Sequence, residues 1–292
     1  MKNFISLSAL FLSISLTAQT NPATWYLNDV NGNGIQSPSS LASGDSSTAM
    51  GYETTASGLS STALCNGTIS SGNNSIAMGY LTESSGDDST ATGLQTIASG
   101  ASSMSMGIGT VAAGDASVSM GYYTTTNDVG SLAFGIFNQL DTTPNPNSFS
   151  FQNTALVIGN GTDNDTRSNA FEVLFDGSTT IAGDLNINSD ARLKANIVSL
   201  GGTLAKLLQI DGKSYTMKKD ESKKQKIGLL AQDIEKVFPE LVSESNGIKS
   251  VNYQGLVPVL INALKEQQAE IDRLKTQEER LDRLERLVAA MD

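Results

Sequence analysis

The chain has 292 residues, 39% of them hydrophobic, and a net charge of −11 that is unevenly spread. Residues 21–188 hold fourteen acids against a single base, Arg167, so this stretch has almost nothing with which to neutralise phosphates, and nucleic-acid binding is excluded. With no histidine and one cysteine, Cys65, histidine-based triads, Cys/His zinc sites and an intrachain disulfide framework are excluded as well.

Residues 1–20 read as a secretory signal: Lys2 is the positive start, Ile5 to Leu16 is a short apolar run, and Thr17-Ala18-Gln19-Thr20 holds the cleavage point. The run is too short to span a bilayer and no later stretch is long enough. An exported mature chain without a transmembrane segment, extracellular or at a cell surface, is therefore expected. Residues 21–41 form an N-terminal segment with no assigned role. Two Asx-rich stretches, Asp29-Val30-Asn31-Gly32-Asn33-Gly34 and Asp163-Asn164-Asp165, carry oxygen donors that suit calcium. The first has Ser40 where an EF-hand loop needs its bidentate glutamate, and both read better as Asx turns. Neither a metal nor a cofactor is expected.

Residues 42–139 divide without a gap into seven 14-residue units that start at Ala42, Ala56, Ser70, Ser84, Ala98, Ala112 and Thr126. Position six is serine in every unit, from Ser47 to Ser131, and position eight is always Ala or Ser. Position ten is glycine in all units except the second, where Cys65 stands, and position three is glycine until Asp128 replaces it in the seventh. A fixed period of this kind marks a solenoid, since a flexible Ser/Thr/Gly linker does not hold register. Small residues at six, eight and ten alternate with Ile76/Met78, Met104/Met106, Val118/Met120 and Leu132/Phe134 at seven and nine. That is the period of a strand with one apolar face, and the glycines mark corners or close backbone approach. Each coil is too thin to offset its chain entropy alone, so association along the stack is expected to supply the missing burial. The pattern G-x-x-S-x-A-x-G-x-x-x-x-A-x-G of Gly44–Gly58 resembles the head repeat of YadA-type trimeric autotransporter adhesins. The resemblance implies a left-handed parallel β-roll and a homotrimer.

Residues 140–188 read as a linker, broken by Pro144 and Pro146, followed by a short β stalk. Its strands are expected at Ala155–Gly159, Ala170–Phe175 and Thr179–Ile187. The series I-G-N-G-T…S-N-A-F-x-V…D-G is similar to the β-rich stalk of tail fibres.

At Ser189-Asp190-Ala191-Arg192-Leu193-Lys194 the composition changes to an ordinary charged domain. A serine hydroxyl five residues before a lysine amine forms a nucleophile–base pair that needs no histidine. Lysine is a base only when neutral, so burial or a cationic neighbour has to act on it. Arg192 is either that neighbour or the group that holds Asp190 in place. The alternative is that Ser189 merely caps a helix over Asp190–Lys194. Further on, Leu230, Ile234, Val237 and Phe238 share one face of a short helix ended by Pro239. A helix past Pro258 carries Ile261, Leu264, Gln268, Ile271, Leu274, Leu281, Leu284 and Val288 at coiled-coil spacing, which places a coiled coil over 262–289.

The hexapeptide fits the S-D-x-R-x-K opening of the C-terminal intramolecular chaperone of phage endosialidase tailspikes. Gly228–Val242 is similar to that family's G-x-x-A-Q-(E/D)-V-E-x-x-x-P-E-L-V block, with Ile234 for valine, and Val251–Glu266 to its V-x-Y-x-x-L-x-x-x-L-x-x-A-x-K-E block. The resemblance implies a chaperone and autopeptidase domain over 189–266. Ser189 would be the nucleophile, Lys194 the base and Asp190 and Arg192 the supporting residues, with a single cut beside Ser189, expected at Ser189–Asp190. The expected protein is mainly β and then α: a trimeric β-roll solenoid, a β stalk and an α-rich chaperone ending in a coiled coil. Its function is that of an exported homotrimeric fibre or adhesin whose chaperone directs folding and then removes itself. Its partners are copies of itself and a cell-surface or glycan receptor that the sequence does not name. A fibre with a retained, non-cutting chaperone is the alternative. A carbohydrate-degrading tailspike is disfavoured, because minimal coils leave no cleft for paired carboxylates.

Overall fold

The computed structural model describes residues 26–27, 34–141, 143–218 and 223–291. The signal over 1–20 and the stretch Asp29–Asn33 lie outside the described residues. The chain forms two compact units with the boundary between Asn186 and Ile187.

In the first unit each coil contributes a five-residue strand, such as Ile76–Tyr80, and a two-residue strand, such as Glu83–Ser84. Equivalent strands stack in parallel and in register: Ala91 pairs with Ala77 on one side and Ser105 on the other. The five-residue strands lie in one sheet and the two-residue strands in a second sheet of seven. Seven such rungs at strand spacing span about 34 Å. The interior between the sheets admits only small groups. Ala49, Ala63, Ala77, Ala91, Ser105, Ser119 and Ala133 at position eight are buried, and so are the serines at position six. Two further positions complete the lining: position one (Ala42, Ala56, Ser70, Ser84, Ala98, Ala112, Thr126) and the threonines at thirteen, from Thr54 to Thr124. The apolar face of the strand looks outward, with Met78 and Met104 each 39% exposed and Phe134 37% exposed.

Inside a coil, hydroxyls pair where the facing positions supply two of them. Ser70 and Ser75 lie 2.6 Å apart, Ser84 and Ser89 2.7 Å, and Ser105 and Thr110 2.7 Å. In several coils where alanine faces the hydroxyl, as Ala98 faces Ser103 and Ala91 faces Thr96, the buried oxygen has no hydrogen-bond partner, whereas Thr68 donates to Leu64 O at 3.2 Å and Ser117 accepts from Thr126 Oγ1 at 3.0 Å. The glycine of position three is needed for close approach: a Cβ on Gly86 would stand 2.0 Å from the carbonyl oxygen of Gly100 in the next coil. At position ten the backbone also takes positive φ, from +95° at Gly135 to +142° at Gly51, and Cys65 adopts +86° there.

Stacking continues past Gln139. Thr154–Asn160 pairs in parallel with Leu132–Ile136, so the first stalk strand is a further rung. The stretch read as a linker folds over the last coils, where Pro146 O accepts from Asp115 N (2.8 Å) and Asn145 O from Val129 N (3.1 Å). Asp128, at the last glycine position, has no coil above that corner. Its carboxylate accepts from Asn145 N (2.8 Å) and Thr154 N (3.1 Å), and burial pushes it above the usual carboxylate range. Arg167 closes the same end by donating to the carbonyls of Tyr123 (2.9 Å) and Asn138 (3.2 Å), with its guanidinium 5.5 Å from the Phe137 ring centre. The remaining strands, Asn169–Leu174 and Thr179–Ile181, are antiparallel. The third strand is shorter than expected: pairing ends with Ala182 N donating to Ala170 O at 3.0 Å, and 183–187 have no neighbouring strand to bond.

The second unit contains helices α1 (Thr203–Leu207), α2 (Ala231–Val237) and α3 (Leu256–Ala289). It also holds two hairpins, Lys213–Tyr215 with Lys226–Gly228 and Val242–Ser245 with Ile248–Val251. Ile234, Phe238 and Val259 form its core, with Leu207, Val237 and Val251 packed around them. Leu230 departs from expectation. It stands before the first turn of α2 and is 46% exposed, because the buried face starts at Ala231. Pro258 lies in the first turn of α3, where a missing N–H costs nothing, so the helix runs unbroken for 34 residues, about 51 Å. Beyond Ala263 its apolar seam is bare, with Leu264, Leu274, Leu281 and Leu284 all exposed.

Candidate active site around Ser189

Asp190 sits in extended conformation and its carboxylate accepts from the Arg192 N–H at 2.9 Å, which starts a 3-10 turn over Ala191–Leu193. Leu193 N donates to Asp190 O and Lys194 N to Ala191 O, closing the turn. The capping residue is therefore Asp190 and not Ser189, which corrects the helix-cap alternative: a 3-10 turn this tight takes its cap from the residue next to it. Freed from that task, the Ser189 hydroxyl accepts a hydrogen bond from Lys194 Nζ at 2.7 Å. The turn brings residues five apart into contact across its open side.

Of the two roles considered for Arg192, the geometry gives it the second. Its Nε and Nη2 hold both carboxylate oxygens of Asp190, at 3.1 and 2.6 Å, and this keeps the Asp190 carboxyl below its ordinary range. Arg192 and Asp190 are thus committed to each other, and the pair stiffens the turn that presents Ser189 and Lys194. Residues 181–202 are exposed throughout in the single chain. The same 2.7 Å geometry serves proton transfer in either direction once Lys194 has lost its proton.

Asp163, the described carboxylate that could serve calcium, is committed within its own turn. Asp163 Oδ1 accepts from Asp165 N (2.9 Å), Thr166 N (2.8 Å) and Thr166 Oγ1 (2.7 Å), which is an Asx turn and holds the carboxyl low. Near the end of the solenoid a cavity of about 310 Å³ is lined by Thr126, Asp128, Asn138, Asp141, Thr154 and Glu172. Of its polar groups, Asp128 holds the capping loop at Asn145 and the strand start at Thr154, and Asn138 donates to the carbonyls of Thr125 and Gln139. Sequence reasoning missed the polar task of Glu266, which it read only as the end of a helical block. Its carboxylate accepts from Thr203 N (2.9 Å), Thr203 Oγ1 (3.0 Å) and Leu204 N (2.9 Å). The available signal was the pair Gly201-Gly202 just before α1, which leaves that helix no side chain of its own for a cap.

Residues 189–243 match the family model described as Chaperone of endosialidase. Residues 42–64, 70–96 and 98–124 match the YadA head domain repeat. The long tail fiber protein Gp37 of Enterobacteria phage M1 is 34% identical over 122 residues, which cover 36% of this chain and 48% of that protein. The protein of the same name from Salmonella phage S16 is 32% identical over 111 residues, 35% of this chain and 15% of the relative. The chain thus spans under half the length of these curated relatives. It joins YadA head repeats to an endosialidase-type chaperone domain, in the order the motifs give.

Proposed function

We propose that the chain is an exported homotrimeric fibre whose C-terminal domain aligns three copies and then cuts itself off, with Ser189 as nucleophile and Lys194 as base. The observation that carries the reading is the 2.7 Å contact between Lys194 Nζ and Ser189 Oγ on a turn braced by Asp190 and Arg192. Matching head repeats and the tail-fibre relatives support the trimer and an extracellular or particle-borne location. Among the described residues no helix is long and apolar enough to cross a membrane. The physical logic is one of register. Parallel coils of near-identical sequence stack almost equally well in shifted pairings, so nothing local aligns three chains. A module that trimerises first fixes the ends and lowers the loop-closure cost of starting the stack. After the cut the stack cannot reopen from its starting point, and its persistence becomes kinetic.

In the chemical step Ser189 Oγ attacks a carbonyl beside it while its proton passes to neutral Lys194. The amine that leaves then takes that proton, and water hydrolyses the ester. Attack by a hydroxyl on its own carbonyl would close a four-membered lactone. A cut at Ser189–Asp190 therefore requires the serine of a neighbouring protomer, whereas a serine acting within its own chain reaches the Asn188 carbonyl through a five-membered ring. Fragment mass separates the two, since the released piece starts at Asp190 or at Ser189. The test is a denaturing gel of purified protein incubated without added protease. Wild type should yield the fragment, and Ser189→Ala and Lys194→Met should stay full length. Cutting that persists in Ser189→Ala removes the nucleophile; no cutting in wild-type trimers leaves a fibre with a retained chaperone.

A further inference from the structure

The hydrogen bonds of the Ser189–Lys194 turn all close within the turn. Residues 195–199 have no regular structure and are exposed. The first bonds from this segment to the rest of its unit all run to α3. Asn262 Nδ2 donates to Leu200 O at 3.1 Å, and Glu266 receives the Thr203 and Leu204 donors given above. Asn262 and Glu266 are four residues apart, so they share one face of α3. Thr203 is buried, and Gly202, at φ +63° before α1, brings no capping side chain. The first N–H groups of a helix have no partner of their own, so without Glu266 two of them would be left unsatisfied there. Those same bonds hold the Glu266 carboxyl below its ordinary range, which keeps it ionised and accepting.

We infer that Glu266, with Asn262, is a positioning residue that anchors the tether of the cutting turn at one height along α3, so that assembly of the α3 seam bounds where Ser189 and Lys194 can stand. This rests on the reading that the dyad cuts. The chain from Lys194 to Leu200 spans at most about 20 Å when extended, so the anchor at Leu200 sets the reach of the dyad. The seam residues Leu264 and Ile271 flank Glu266 on the same helix, and their partner helices would come from the other copies that bury the turn. A reacting group displaced by an ångström loses a large part of its rate, so the tether acts on cutting well before it acts on folding.

The test uses the full chain and follows the first-order rate of fragment release, with trimer content measured in parallel by light scattering. Glu266→Ala should form trimers and cut about tenfold more slowly or worse, while Glu266→Gln, which keeps one carbonyl acceptor for Thr203, should cut at an intermediate rate. A second variant, with two glycines inserted after Val198, leaves every anchor in place and lengthens only the tether. It should slow cutting with the melting temperature unchanged. A merely structural Glu266 would lower the melting temperature and leave the insertion variant cutting at the wild-type rate, and that result overturns the inference. Undiminished cutting in trimeric Glu266→Ala also overturns it. Wild type that does not cut at all fails the underlying reading instead, and the inference falls with it.

Discussion

The solenoid bonds its main chain coil to coil and fills its interior with methyl and hydroxyl groups no larger than those of threonine. The C-terminal unit gathers a small core around Ile234, Phe238 and Val259 and leaves the seam of α3 beyond Ala263 uncovered. Both are short of buried apolar surface, but the shortage differs in kind. In the solenoid every coil presents nearly the same outward stripe, so neighbouring copies are offered many equivalent alignments. In α3 the seam residues are spaced irregularly around Gln268 and Glu278, so few alignments bury them together. Repetition gives length, and on the proposed reading the irregular helix gives register.

The largest effect is expected from disrupting the seam. Leu264→Asp with Ile271→Asp places two charges on it, and the full chain should then lose trimers and cutting together although Ser189 and Lys194 remain. Efficient cutting by that monomer would separate cleavage from assembly. The next largest effect belongs to the coils. Gly86→Ala should cost about 2–4 kcal/mol, because its Cβ would meet a backbone carbonyl that cannot yield, as in overpacked cores. Gly183→Ala, with nothing within 4 Å of its Cβ, should stay within about 0.5 kcal/mol. Thermal unfolding in the Ser189→Ala background, where the chain stays whole, reads both. Equal losses would mean the coils do not approach each other as described.

Smaller effects sharpen the picture. Cys65→Gly should stabilise by about 1 kcal/mol, since a side chain at φ +86° is strained; a drop in melting temperature would show that the thiol packs in the assembled state. Ala98→Ser should add about 1 kcal/mol by giving the unpartnered Ser103 hydroxyl the partner that Ser75 and Ser89 already have. The smallest effect depends on pH. Asp128 is raised by burial and by the side chain of Asp141, so its contribution to stability is present in acid and is lost as pH rises through its folded value. Asp141→Asn removes a like charge and should raise the melting temperature at neutral pH by about 1 °C, and not at all near pH 3. An equal gain at both pH values would remove the electrostatic explanation.

The coil period and the Ser189–Lys194 pair were legible in the sequence because both are local: one repeats at fixed spacing, and the other closes a single turn. The buried threonines at position thirteen were not, since a β-branched polar residue suits a surface strand as well as a narrow interior. Whether the apolar stripe faced in or out was also open, because alternation assigns two faces without saying which is inside. Arg167 and Glu266 act across 44 and 63 residues of sequence, and no spacing rule reaches that far. The end of the last stalk strand at Ile181 depends on a missing neighbour, and Leu230 on where the first turn of α2 starts.

One consequence of the stacking is mechanical. The bonds between rungs lie along the stack axis, so a load applied along that axis falls on the rungs in series and not on many bonds side by side. A stack loaded this way gives at its weakest rung, and the coil with Cys65 in a glycine place is the candidate. Each coil that opens releases its 14 residues, roughly 45–50 Å of contour. Under steady pulling the solenoid would then lengthen in equal steps, yielding coil by coil while the remaining rungs stay closed.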